Sequence, residues 1–243
     1  MAETRGDMRY SGVMTMPGGS YRRVSVEGVI TIDGGLDCQE IRTEGVFTSH
    51  GDIKAGTGRI EGVATIKGGL GAGDVDVNGE FRVEGDLSVH DLRDEGRTNV
   101  KGSVAAENIE MHGELTIRGD CHAEVFGCNG ALRIGGILNA GDVNVSLYGP
   151  SNAKEVDGGK IVVRKGAKPI DILSAMFLPI VYGKARLIVD TIEGDEVDIE
   201  HTTAKVVRGD VVTIGAGCEV DLVEYRTDFK KTANAKVAKC VKV

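Results

Sequence analysis

The residues that could do chemistry in this 243-residue chain are scattered histidines, five cysteines, one acidic run and one glycine-rich loop. Nucleophilic or general acid-base catalysis needs a nucleophile beside a base that a third group orients. His50, His90, His112 and His122 stand apart from one another, and none has a nucleophile at a telling spacing. A zinc site at Cys121-x6-Cys128 is conceivable, but the spacing matches no common finger. The acidic run holds Asp190, Glu193, Asp195, Glu196, Asp198 and Glu200 without a basic residue among them. Calcium binding would need those oxygens to converge, whereas along a strand they alternate faces, so a solvated surface is expected. The segment GGLGAGD (68–74) mimics a phosphate-binding loop but lacks the following lysine and helix. No catalytic, cofactor or metal residue is assigned.

The elements that would position such groups are set by glycine. Gly28, Gly45, Gly62, Gly79, Gly96, Gly113 and Gly130 recur at a fixed 17-residue interval. A companion series follows closely behind each of them: Gly34, Gly51, Gly68, Gly85, Gly102, Gly119 and Gly136. Self-similarity at a fixed period marks a solenoid. Counting from the leading glycine, apolar side chains fall in alternating pairs at offsets 2 and 4, 8 and 10, and 13 and 15. Offset 2, for example, reads Ile30, Phe47, Ala64, Phe81, Thr98, Leu115 and Leu132. Alternation of this kind is the signature of strands. Three short strands with glycine at two corners describe one triangular coil of a parallel β-helix, all-β, with the glycines as structural corners. Exceptions in otherwise apolar columns are Gly58 and Asp94, and an outward ladder runs Thr31, Thr48, Thr65, Arg82, Asn99, Thr116 and Arg133. Cys38, Cys121 and Cys128 fall at inward offsets, where cysteine serves as a small hydrophobe. The four histidines fall at outward or corner offsets.

Composition agrees with a narrow aliphatic core: aromatics are 4% and tryptophan is absent. A net charge of −8 argues against nucleic acid as a partner, because phosphate contacts need clustered lysine and arginine. The start of the chain shows no secretory signal, and no apolar run reaches the ~20 residues of a spanning helix, so the cytoplasm is the expected compartment.

The pattern divides the chain into residues 1–20, a flexible tail; 21–149, a regular β-helix of about seven coils; 150–186, degenerate coils with an apolar segment; and 187–243, a second, less regular β block. Gly149, Gly166 and Gly183 keep the 17-residue interval but lose the companion glycine. Residues 170–182 (IDILSAMFLPIVY) form an apolar run, and the stretch from Thr227 carries five lysines against Asp228 alone.

The segment GGSYRRVSVEG (18–28), the 17-residue coils, LYGP (147–150) and DTIEGDEVDIEHTTAKVVRGDVVTIGAGCEVDLVEY (190–225) resemble the bactofilins, bacterial polymer-forming cytoskeletal proteins, and in particular their longer Gram-positive branch. The resemblance implies a right-handed β-helix that polymerises end to end without nucleotide or cofactor. It also implies a role in cell shape, envelope synthesis or motility, often beside the membrane. A solenoid presents unpaired backbone at its ends unless capped. Tyr21 and Val24 at the first coil, and Met176, Phe177 and Leu178 in the apolar run, are therefore the candidate assembly or membrane contacts. The expected partner is a second copy, with the membrane surface or envelope-associated proteins as further candidates. The alternative is a capped β-helical adaptor that binds a protein or glycan on a lateral face.

Overall fold

The computed structural model describes residues 5–166 and 185–243, and among them there is no helix. The chain divides into two units, residues 1–119 and 120–243. Every strand pair with an assigned register is parallel, so each unit is a stack of β-solenoid coils.

In unit 1 the backbone ladder continues round the corners, which makes some strand runs long. They are β1 (Asp7–Ser49), β2 (Ile53–Ile66), β3 (Leu70–Val83), β4 (Leu87–Ser88), β5 (Asp91–Asp94), β6 (Arg97–Val100), β7 (Val104–Ala105) and β8 (Asn108–Ile117). The register confirms the period. Leu36 lies against Ile53, Ile53 against Leu70, Leu70 against Leu87 and Leu87 against Val104, a 17-residue interval at each step. Offsets 2 and 4 point inward as expected, with Ile30, Phe47, Phe81 and Thr98 all at 1% exposure or less.

The two glycine series are required for different reasons. At Gly62 the backbone has φ +122°, and a Cβ would stand 2.3 Å from the Gly45 carbonyl oxygen one coil back, so both conformation and space demand glycine. Gly51 has no positive φ. There a Cβ would come within 2.6 Å of the Gly34 carbonyl carbon, so from Gly51 to Gly119 the second series is fixed by the closeness of stacked corners, whereas its first member, Gly34, is fixed by φ +125°.

One boundary needs correction. Residues 7–20 are not a flexible tail, since β1 starts at Asp7. Arg22 N–H donates to the Gly6 carbonyl at 2.9 Å. A Cβ on Gly28 would meet the Gly12 carbonyl oxygen, and one on Gly34 would approach Gly18, so a further coil stacks on the first at a 16-residue interval. The shortened interval hides Gly12 and Gly18 from a search for a strict period.

Unit 2 is built from β9 (Cys121–Leu147), β10 (Pro150–Lys165), β11 (Arg186–Ile199), β12 (Thr202–Ile214), β13 (Glu219–Lys231) and β14 (Lys236–Lys242), paired in that order. The strict 17-residue interval stops at Gly149 as expected, but stacking continues beyond it: β10 lies on β9, with Asn152 against Arg133 at i+19 and Glu155 against Ile137 at i+18. Leu187 lies against Thr202 at i+15, Thr203 against Glu219 at i+16, and Glu219 against Lys236 at i+17. The stacked glycines here are Gly158, Gly194 and Gly209 rather than Gly149 and Gly166, and Gly183 lies outside the described residues. A Cβ on Gly194 would meet Gly158 O at 2.5 Å, and one on Gly209 would meet Gly194 O at 2.6 Å. Apolar alternation survives the changing interval: Ile192, Val207 and Val223 stack in register at 0% exposure.

Candidate assembly surfaces

Groups with chemical potential are dispersed and neutralised. His50 Nδ1 lies 3.4 Å from Asp33, His90 Nδ1 2.6 Å from Glu107, and His112 Nε2 3.3 Å from Glu110. These are surface pairs between side chains on neighbouring coils or along one strand, each of small energetic weight. His201, which carries the one positive φ outside glycine among the described residues, is held below the ordinary imidazole range by burial and then by Lys165. Cys38, Cys121, Cys128 and Cys218 are buried free thiols, and Cys240 is exposed. Burial pushes Cys121 and Cys128 each up to about 12, so they are inert core groups. Among the described residues no cluster of His, Cys, Asp or Glu could hold a metal ion.

The acidic run is largely paired within unit 2. Asp190 meets Lys205 at 2.7 Å, Glu193 meets Arg208 at 3.4 Å, Glu196 meets Lys160 at 3.8 Å, and Asp198 accepts two guanidinium bonds from Arg164. Beside it lies an open groove of about 460 Å³ over the glycine stack, rimmed by Glu155, Asp157, Glu193, Arg208, Asp210 and Arg226. Arg208 also pairs with Glu224 at 2.6 Å, and Arg226 with Asp210 at 3.0 Å, but Glu155, Asp157, Glu193, Asp195, Asp210 and Glu224 outnumber the two arginines, so the rim stays acidic.

The end of unit 1 is apolar. In the outermost described coil Met8 and Tyr10 stand over Val24 and Val26, and Met14 and Met16 over Ile30 and Ile32, by the glycine stacking that sets the 16-residue interval. Met14 is 41% exposed, where the same column one coil inward is 0%. Val24 is itself 0% exposed and cannot be a contact residue, because the uncounted coil covers it. Tyr21 is half-buried, its ring against Gly19. Met176, Phe177 and Leu178 lie outside the described residues.

The end of unit 2 is basic. Among the described residues β14 has a strand partner on one side only, β13. Its Val237 and Cys240 lie over Val220 and Val223 and remain partly or fully exposed. Lys230 pairs with Asp228 at 2.9 Å and Lys236 with Glu219 at 3.2 Å, while among the described residues Lys231, Lys239 and Lys242 stand without an acid. Beneath them the Tyr225 and Phe229 rings stack with centroids 5.5 Å apart.

Two further features were missed in the sequence. The outward position just after the leading glycine holds Val13, Val29, Val46 and Val63 on four successive coils, with Thr15, Thr31, Thr48 and Thr65 two places on. Val13, Val29 and Val46 are 80%, 42% and 40% exposed. The next coils carry Glu80 with Arg82 and then Arg97 instead, so this flat Val/Thr face ends sharply. It could have been found by reading outward columns for apolar residues as closely as inward ones. The second feature is a carboxylate clamp: Asp52 accepts from Gly69 N–H at 2.8 Å, Asp86 from Ser103 N–H at 2.8 Å, and Asp120 from Ile137 N–H at 2.9 Å. Each reaches one coil ahead, and the three acids stand on alternate coils.

No protein-family model matches the chain, and no solved structure matches it. It is similar to two uncharacterized proteins of Bacillus subtilis (strain 168). YhbF is 37% identical over 91 residues, covering 37% of this chain and 34% of that protein. YhbE is 35% identical over 114 residues, covering 46% of this chain and 45% of that protein. The chain thus spans between a third and a half of the length of these curated relatives. Among the described residues there is no helix long and apolar enough to cross a membrane.

Proposed function

We propose that this chain is a bactofilin-like structural scaffold of the bacterial cytoplasm that self-assembles through coil ends without nucleotide, cofactor or catalysis, serving cell shape, envelope synthesis or motility. The observation that carries this reading is the end of unit 1. Tyr10, Met14 and Met16 occupy columns that are dry core one coil inward, yet no further strand among the described residues covers them. An exposed strand with an apolar inner row is a template for another chain, and methionine adapts its shape to whatever packs on it. A second copy is the simplest partner of matching geometry. Electron microscopy of negatively stained protein without nucleotide, with sedimentation at two concentrations, tests it. Filaments or large oligomers are expected, and Met14→Asp with Met16→Asp should return them to monomers. A monodisperse monomer across salt and concentration overturns the reading.

The adaptor reading has its own support in the Val/Thr face, a flat uncharged strip on a chain of net charge −8. A monomer that loses a bound protein or glycan on Val46→Lys would favour it.

A further inference from the structure

Asp94 is the one carboxylate among the described residues at 1% exposure, and neither of its oxygens has a hydrogen-bond partner. It occupies the inward offset 15 column, directly against Val77 of β3 on one side and Met111 of β8 on the other. Thr98 of β6 is the polar residue sharing its coil, and its buried hydroxyl also lacks a completed hydrogen bond. No titratable group faces the carboxyl from these elements. Asp76 on β3, Arg93 and Glu95 beside Asp94 itself, Arg97 on β6, and Glu110 and His112 on β8 all point to solvent. The strands report the same weakness. β2 and β3 run for 14 residues each, whereas β4, β5, β6 and β7 are broken into pieces of 2, 4, 4 and 2.

We propose that Asp94 makes the coil around residues 84–107 a pH-sensitive hinge of unit 1: the coil closes over the neutral acid and opens when the carboxyl ionises, freeing the strand edges of β3 and β8. An isolated charge in an apolar interior is costly, and a neutral acid with one hydroxyl beside it is much less so. Opening brings the carboxylate to water and removes the conflict. The proposal needs no assembly and stands whether or not the chain polymerises.

The sign follows from the direction of the shift. Burial pushes the Asp94 carboxyl from 3.8 up to about 6, with slight relief from Thr98. The closed coil therefore holds its proton more tightly than the open one, and closure is most favoured at low pH. Linkage makes the opening constant rise about tenfold between pH 5 and pH 7 and level off above it.

Hydrogen exchange of peptides spanning residues 84–107, corrected for the intrinsic pH dependence of amide exchange, reads that constant. A roughly tenfold rise is expected in the wild type, with Asp94→Asn and Asp94→Val showing no step and Val the greater protection. An equal step in wild type and Asp94→Asn overturns the proposal. Should either variant misfold, the Asp94 carboxyl carbon in the intact wild type decides by NMR. Titration near 6 supports the hinge, and titration near 4 sinks it.

Discussion

Unit 1 and unit 2 solve the same stacking problem with different strictness. From Gly28 onward unit 1 keeps a constant 17-residue interval, whereas unit 2 steps through i+19, i+18, i+36, i+15, i+16 and i+17. Both keep a glycine whose absent Cβ lets one coil's backbone sit on the carbonyl below. Unit 1 keeps the second corner series on coil after coil, where Gly51, Gly68, Gly85, Gly102 and Gly119 leave no room for a side chain, whereas in unit 2 the series ends at Gly136. A coil with two tight corners cannot change length without moving one of them. A coil with one tight corner can absorb a residue elsewhere along its turn, and unit 2 does so immediately after the Gly209 corner, before Val211, and between Ala153 and Glu155. What the fold preserves is the inward column, since a slip of one residue turns every core side chain to solvent.

The contrast can be broken by substitution, and the largest effect is expected at a leading corner of unit 1. Gly62→Val forces φ +122° on a β-branched residue and drives its Cβ into the Gly45 carbonyl. A loss of about 4 kcal/mol is expected, with unit 1 unfolding first in urea as followed by pulse proteolysis. Next in size is a one-residue insertion. Placed between Gly68 and Gly69 it should cost about 3 kcal/mol, and placed between Gly209 and Asp210 less than about 1 kcal/mol. Equal costs would abolish the distinction between the units. Gly58→Ala should act in the opposite direction, because Gly58 is buried at an inward offset without positive φ. Its Cβ would meet Ile41 and Val75 methyls at 3.6 Å beside a cavity of about 20 Å³. A gain of about 0.5–1 kcal/mol in urea is expected. The smallest effect is Val46→Lys on the exposed ladder, which should leave stability within about 0.5 kcal/mol while altering any surface association.

The architecture was legible because glycine is demanded by backbone contact, which no other residue can meet, and that demand recurs visibly at Gly28 through Gly113. The first coil was not, since one missing residue moved Gly12 and Gly18 out of step. Unit 2 was only half legible: apolar alternation showed strands, but which strand stacked on which depends on corner lengths that leave no residue signature. Gly58 and Asp94 stood out as exceptions to their columns. Their consequences, a void and an unpartnered carboxyl, required the neighbours at Ile41, Val75, Val77 and Met111. Contact surfaces were least legible. Val24 looked terminal and is core, and the Val/Thr strip gave no warning because isolated exposed valines are ordinary on any surface.

The aspartate clamp has a bearing on how such a chain changes length. Asp52, Asp86 and Asp120 each bind the corner amide of the following coil, and that following coil offers Gly69, Ser103 or Ile137 in place of a second aspartate. From Asp52 to Asp120 the clamp therefore repeats every two coils rather than every turn. Duplication or deletion of a doublet leaves every giver facing a taker. Loss of a single turn would bring two carboxylates, or two coils without any, onto adjacent corners, so lineages of this solenoid are expected to grow and shrink by twos.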